Sequence, residues 1–231
     1  MTGQLVSVIV PVYCGESTLA EALDSVSAQT HRAVEVVVVD DGSPDRCAEI
    51  AGARPGVRVI SQAHAGVAAA RNAGITAAQG ELIAFLDQDD VWKPRKLECQ
   101  VALLAGQADV SIALTMIEIV LTTGTPAPDW FDPTWLAGPQ RGFVPSTWLV
   151  RRSAFDRVGG FDTEFTIACD GDWLARAKDA GLRSVMLEEA LVHWRVHGAN
   201  GSYDQDTMRR ECVEMLRRTA RRQRAAATHN G

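Results

Sequence analysis

The 231-residue sequence has no G-x-G-x-x-G segment behind any strand-like run and no G-x-x-x-x-G-K-[ST] loop. A dinucleotide fingerprint and a P-loop are thereby excluded as phosphate-holding devices. There is no C-x-x-C pair: Cys14, Cys47, Cys99, Cys169 and Cys212 are odd in number and irregularly spaced. That pattern suggests neither a disulfide framework nor a structural zinc site, and a reducing cytoplasmic setting is expected. No apolar run approaches the ~20 residues that span a bilayer, and Met1 to Val10 runs too quickly into Pro11 to read as a signal peptide. The expectation is a soluble protein, with a membrane-peripheral role left open. Surplus positive charge is missing as well. A formal net charge of -6 argues against a nucleic-acid partner, because phosphate backbones are held mainly by excess Lys and Arg. No internal repeat is present, and the Arg/Ala-rich C-terminal tail is the only low-complexity piece.

What the chain does have is core material, 46% hydrophobic against 23% charged residues, enough for one large domain or two fused subdomains. LVSVIVPVY reads as a strand ended by Pro11 and a polar cluster, followed by the helix LAEALDSVSAQ. VEVVVVDDGSPD repeats the pattern, its valine run typical of a strand buried on both faces of a parallel sheet. AEIAGA, GVRVISQ, GVAAARNAGITAAQG and ELIAFLD then read as helix, strand, helix and strand, with Gly80 as a helix stop. Alternating strands and helices predict an open α/β sheet, whose ligands sit beyond the carboxyl ends of the strands.

Two acidic groups fall at those ends. Asp40 and Asp41 close the second strand, and LIAFLDQDDVWKP drives the fourth into Asp87, Asp89 and Asp90. Clustered carboxylates repel one another unless water, a cation or a metal-bound phosphate shares the site. Both groups are expected to face one crevice. Farther on, RKLECQVALLAGQ predicts a helix, and VSIALTMIEIVL reads as a strand by its alternation although its residues are also compatible with a helix. Thr122 to Arg141 is a long irregular segment of the kind that forms lids or binding loops. FVPSTWLVRRSAFDRVGGFD reads as strand, helix and glycine turn, CDGDWLARAKDAG as a helix with acids in its first turn, SVMLEEALVHWRVHG as strand, and Thr207 to Ala227 as a basic helix.

In order and spacing, VSVIVPVY, VVVVDDGSPD, HAGVAAARNAGI, GELIAFLDQDD with WKP, RRSAFDRVGGFD and CDGDW resemble the family 2 glycosyltransferases of GT-A fold, up to about Ser202. The resemblance implies inverting transfer of a sugar from a nucleotide-diphosphate donor, a UDP-sugar first among them, assisted by Mg2+ or Mn2+. The acceptor would be a glycan, a natural product, a lipid-linked sugar or a peptide. It implies a nucleotide-sugar-binding half at residues 1–98, an acceptor-binding half at 99–205 and a basic helix or tail at 206–231. By the same resemblance Pro11 and Val12 line the nucleotide pocket, Asp40 binds the base, Arg71 lies near the nucleotide, Asp87 is close to the ribose and Asp89 is the metal ligand. Asp170 stands where the family places its general base, although Cys169 replaces the usual glutamate before it and Asp172 is a second candidate. His197 of the R-x-H segment is a possible third metal ligand or phosphate contact, and Arg195 a phosphate contact.

The chemistry requires such groups. A hard dication bridging substrate phosphates needs only one or two protein carboxylates, and an acceptor hydroxyl needs a positioned base. Bland roles compete at each position: turn shaping for Asp41 and Ser43, helix capping for Asp170 and Asp172, a local hydrogen bond for His197, and core packing for Trp130, Trp135 and Trp148, which otherwise could stack on a sugar. RRTARRQR could lie on anionic lipid, contact a partner or simply form a solvated helix face. A nucleotidylyltransferase is the rival enzyme, but PVYCGESTL has no Lys or Arg for a basic phosphate loop. A catalytically inactive scaffold of the same fold is the rival from outside enzymes.

Overall fold

The computed structural model describes residues 3–122, 127–128, 131–197 and 204–229. β-branched residues fill Val6–Val12 (β1), which is buried along its whole length, and Val34–Asp40 (β2), buried from Val37 onward. Strands of that composition need cover on both faces. Side chains alternate between the faces with period two. From β1, Val8 and Val10 join a core with Leu19 and Leu23 of α1 (Leu19–Ser27) and Leu97 and Leu104 of α4 (Lys96–Gly106). Ile9 faces the other way, toward Ala68 of α3 (Val67–Ala77).

Among the described residues one eight-stranded sheet runs in the order β3-β2-β1-β4-β7-β6-β8-β5. Its remaining members are β3 (Val57–Ser61), β4 (Leu82–Phe85), β5 (Val91–Trp92), β6 (Val110–Leu121), β7 (Leu149–Arg151) and β8 (Arg183–Val196). The first four strands in the order are mutually parallel, as the alternating pattern predicts. The second half is mixed: β7 runs antiparallel to both β4 and β6, β6 and β8 are parallel, and β5 is antiparallel to β8. The short helix α2 (Cys47–Gly52) follows β2, α5 (Arg152–Val158) and α6 (Cys169–Asp179) lie between β7 and β8, and α7 (Gln205–His229) ends the described chain.

Gly80 does not stop α3. The helix ends at Ala77 with Ala78 extended, and Gly80 instead lies against β1. A Cβ there would sit 2.6 Å from the Leu5 carbonyl oxygen and 2.7 Å from Ser7 Oγ, which accepts the Gly80 N–H. The requirement is close backbone approach, not a left-handed turn. Trp148 is fully buried between Phe85, Phe161 and Trp173, so it cannot stack on a sugar. Trp130 lies outside the described residues. Between Thr122 and Arg141, the described part contains a 3-10 turn at Pro133–Ala137, and Gln140 exchanges two backbone hydrogen bonds with Ile117 of β6.

Candidate active site

The carboxyl ends of β1, β2 and β4 are laced together by side chains. Asp40, the last residue of β2, accepts the Ser43 N–H at 3.0 Å. Asp41 is only 2% exposed and accepts the N–H groups of Ala65 at 2.9 Å and Gly66 at 2.8 Å and the Gln62 amide at 2.7 Å. It is therefore a latch for the loop entering α3 and offers no free oxygen to a ligand. Pro11 and Val12 end β1 with buried side chains. Beyond them, half-exposed Tyr13 stacks on His64 with ring centroids 4.1 Å apart. Cys14 holds φ at 54°, an uncommon conformation for a residue with a Cβ, and its N–H donates to Ser43 Oγ. Gln88 closes the other side: the Tyr13 N–H donates to Gln88 Oε1 at 2.8 Å, and Gln88 Nε2 donates to the Tyr13 carbonyl at 2.9 Å. Asp40 and the Asp87–Asp90 loop thus flank one short segment after β1.

Arg71 on α3 is buried, and its Nη2 donates to Asp87 Oδ1 at 2.8 Å. Burial alone would lower its pKa, but Asp87, Cys169 and Asp170 outweigh burial and raise it, so Arg71 is a fixed cation. Its Nη1 reaches Cys169 Sγ at 3.6 Å, and its Nε, also buried, has no hydrogen-bond partner among the described residues. Burial pushes the Cys169 thiol up to about 11, which keeps it neutral. Asp170, in the first turn of α6, has its pKa raised, chiefly by burial, with Arg71 pulling the other way. One cation, two carboxylates and a neutral thiol thus meet where α3, the β4 end and α6 converge.

Asp89 Oδ2 and His197 Nε2 lie 2.7 Å apart, their side chains 19% and 24% exposed. Asp90 beside them is buried and accepts the Arg195 N–H at 3.1 Å through Oδ1, while its Oδ2 has no hydrogen-bond partner among the described residues. Burial, followed by the charges of Asp89 and Asp87, drives its pKa well up. The three acids therefore divide into an Arg71-paired carboxylate, a His197-paired one and a buried anchor for the end of β8. Among the described residues no three His, Cys, Asp or Glu side chains converge into a metal cage. One carboxylate and one imidazole, both partly exposed, fit a hard dication that draws its other ligands from phosphate and water.

Asp172 sits differently from Asp170. It is 1% exposed, 2.7 Å from Arg176 Nε and 3.6 Å from Arg222 Nη1. Arg195 Nη2 donates to Glu21 at 2.9 Å. Half-buried Trp135 packs edge-on against Phe131 and lines a cavity of about 580 Å³ between β6, Trp194 and the 139–144 segment. Several contributors were not visible in the sequence: Tyr13, His64, Gln88 and Ser146, whose Oγ accepts the Asp87 N–H at 3.0 Å. Glu211 of α7 is another, accepting the N–H groups of Thr166, Ile167 and Ala168, each at 2.8 Å, just before α6. These contacts join residues tens of positions apart, where no local pattern signals them.

Acid-tipped parallel strands that open beyond their carboxyl ends, with a carboxylate-bearing helix start facing them, define an open α/β protein of the kind whose ligands sit beyond the strand ends. The chain matches the model of glycosyl transferase family 2 over residues 7–159 and belongs to that family. It is similar to an uncharacterized glycosyltransferase of Nostoc sp., 33% identical over 84% of this chain and 66% of the relative. It is 38% identical to WfgD of Escherichia coli, a UDP-Glc:alpha-D-GlcNAc-diphosphoundecaprenol beta-1,3-glucosyltransferase, over 45% of this chain and 42% of WfgD. The chain spans 66% or less of the length of these relatives. Among solved structures, Staphylococcus aureus TarS 1-349 in complex with UDP-GlcNAc superposes with a TM-score of 0.74 at 22% identity, covering 94% of this chain and 66% of that one. The mannosyltransferase PcManGT of Pyrobaculum calidifontis, in complex with GDP-Man and Mn2+, gives 0.74 at 22%, covering 95% and 65%. The fold is GT-A, as expected from the sequence.

Proposed function

We propose that the chain transfers a glycosyl group from a nucleotide-diphosphate donor to an acceptor hydroxyl or similar nucleophile with inversion, using Mg2+ or Mn2+. The observation that carries this reading is the meeting of Arg71, Asp87 and Asp170 beside the Asp89–His197 pair, at the open ends of the parallel strands. Asp40, Pro11 and Val12 would hold the base and ribose, with the Tyr13–His64 stack as a flat wall beside them. Asp89 and His197 would hold the metal, which when bound neutralises charge on the departing diphosphate.

Inversion is a single displacement. The acceptor oxygen bonds to the anomeric carbon as the bond to the phosphate oxygen breaks, the nucleoside diphosphate leaves with the electron pair, and Asp170 takes the acceptor proton. Asp170 suits the base role better than Asp172, whose carboxylate already pairs with Arg176. Arg71 holds Asp87 in place and supplies a fixed positive charge beside both carboxylates. Cys169, neutral where the family has a glutamate, leaves Asp170 without a second charge as its immediate sequence neighbour. UDP in TarS and WfgD, and GDP with Mn2+ in PcManGT, support a nucleotide-sugar donor here. The diphosphoundecaprenol in the WfgD name makes a lipid-linked acceptor the first to try.

Isothermal titration with UDP, GDP and dTDP, each with and without Mn2+, tests the reading. One nucleotide should bind in a metal-dependent manner, and Asp89→Ala should weaken that binding at least tenfold while leaving the fold intact, since it removes a carboxylate from an open site. Absence of binding under every metal condition would transfer the case to the scaffold reading.

A further inference from the structure

The two sides of α7 differ in kind. Its inner side fastens the helix to the body. Glu211 receives three backbone N–H groups, Met215 packs on the aromatic core, and Arg218 pairs with Asp162 at 2.9 Å and with Glu164 at 2.6 Å. Arg222 adds an ion pair to Asp179 at 2.9 Å. At about 100° per residue, the positions left over fall on a single outer arc. Arg209, Arg210, Arg217, Arg221 and Arg224 lie on it, and all are exposed. Val213 and Leu216 stand among them, 46% and 62% exposed. Of the acids between Arg209 and Arg224, Glu211 is turned inward, and Glu214 stands at the edge of the arc, pairing with Arg218 at 3.1 Å and with Arg217 at 3.9 Å. The guanidinium groups of Arg209, Arg221 and Arg224 have no ion-pair partner among the described residues.

The concentration of charge runs against the rest of the molecule. Seven of the chain's 23 basic residues but only three of its 29 acidic ones fall in α7, in a protein of net charge -6. An arc of arginines around two exposed aliphatic side chains has the composition of a helix lying at a headgroup–acyl boundary, with cations at the phosphates and aliphatics just beneath. We propose that the outer arc of α7 docks the protein on an anionic phospholipid surface. The acidic remainder would be repelled by such a surface, so the approach is oriented through this arc. No helix of the described residues is long and apolar enough to cross a membrane. Docking brings the start of α6, which α7 caps, within about a helix diameter of the lipid.

The test is co-sedimentation of the full chain with sucrose-loaded vesicles of phosphatidylcholine alone or with about 30% phosphatidylglycerol. Binding should be at least tenfold tighter on the anionic vesicles and should weaken steeply with salt. Arg217→Gln, Arg221→Gln and Arg224→Gln combined should lose at least tenfold, and Leu216→Ser, which leaves the charge unchanged, several-fold. Equal binding to neutral and anionic vesicles, or undiminished binding by the arginine variant, would overturn the proposal. So would tighter binding of a single-stranded oligonucleotide than of vesicles, which would give the arc to nucleic acid. If the arginine variant fails to fold, the salt series on the unaltered chain decides: binding that is unchanged at about 0.5 M salt rules out the electrostatic dock.

Discussion

Asp170 stands in the first turn of α6 with Arg71 beside it, and burial lifts its pKa above the ordinary 3.8 in spite of that cation. A base must be ionised to accept a proton, so transfer should rise with pH through the raised pKa of Asp170. The pH–rate profile would then show its acid limb above 3.8. Asp170→Asn should cut turnover by about 10²–10⁴-fold and abolish the limb while nucleotide binding persists. An acid limb surviving in that variant would assign the base elsewhere, with Asp172→Asn the next to assay. The same shift bears on stability with a definite sign. The folded state holds the Asp170 proton more tightly than the unfolded chain, so this contribution is full below the ordinary pKa and is lost as pH rises through the folded one. Thermal unfolding of Asp170→Asn should therefore show a higher midpoint than the unaltered protein at neutral pH, with the gap closing in acid.

At the scale of elements, the start of α6 is held by a neighbouring helix as well as by its own sequence. Ala168, at the N-cap position, provides no side-chain hydrogen bond, and the preceding N–H groups are taken instead by the Glu211 carboxylate of α7. Burial alone would raise the Glu211 pKa, but those N–H groups outweigh it and hold the pKa below its ordinary 4.5. Its stabilisation is thus present above 4.5 and lost as pH falls through the lowered value. Glu211→Ala should cost about 2 kcal/mol, since hydrogen bonds to a charged group are the stronger kind. In a domain of this size that corresponds to a fall of roughly 4–8 °C in Tm. Turnover should fall alongside, because the helix start that carries Asp170 loosens. Loss of Tm with unchanged turnover would detach α7 from the site.

Over the whole molecule, one aromatic cluster joins the parallel half of the sheet to the mixed half. Phe85 of β4 meets Trp148, Phe155 and Phe161, and Trp148 in turn meets Trp173 of α6. Trp148 also donates its Nε1–H to the Phe143 carbonyl at 2.9 Å. Trp148→Ala should destabilise the protein by about 3–5 kcal/mol, a large share of a typical domain's total stability. Chemical denaturation followed by tryptophan fluorescence and by circular dichroism should give one coincident transition, shifted to lower denaturant in the variant. Two separated transitions would mean that residues 1–98 and 99–205 unfold as independent units.

Strand-helix alternation, the acids at the ends of β2 and β4 and the first turn of α6 are legible in the chain alone, because each is a local pattern of side-chain period and turn chemistry. The chain also carried the ordered motifs by which the family resemblance was legible. Which acids are open and which are spent is set by packing between distant segments. Asp41 and Asp172 read like Asp40 and Asp170 in the chain, yet Asp41 is latched to the α3 loop and Asp172 is paired with Arg176. Gly80 reads like a helix stop and proves to be a point of backbone contact with β1. The short strand β5 and the hydrogen bond from the Arg195 N–H to Asp90 exist because β8 returns to the acidic loop from about a hundred residues away. Local sequence sets backbone preference and charge, whereas the burial and partners that fix what a carboxylate can do are properties of distant segments brought together by the core.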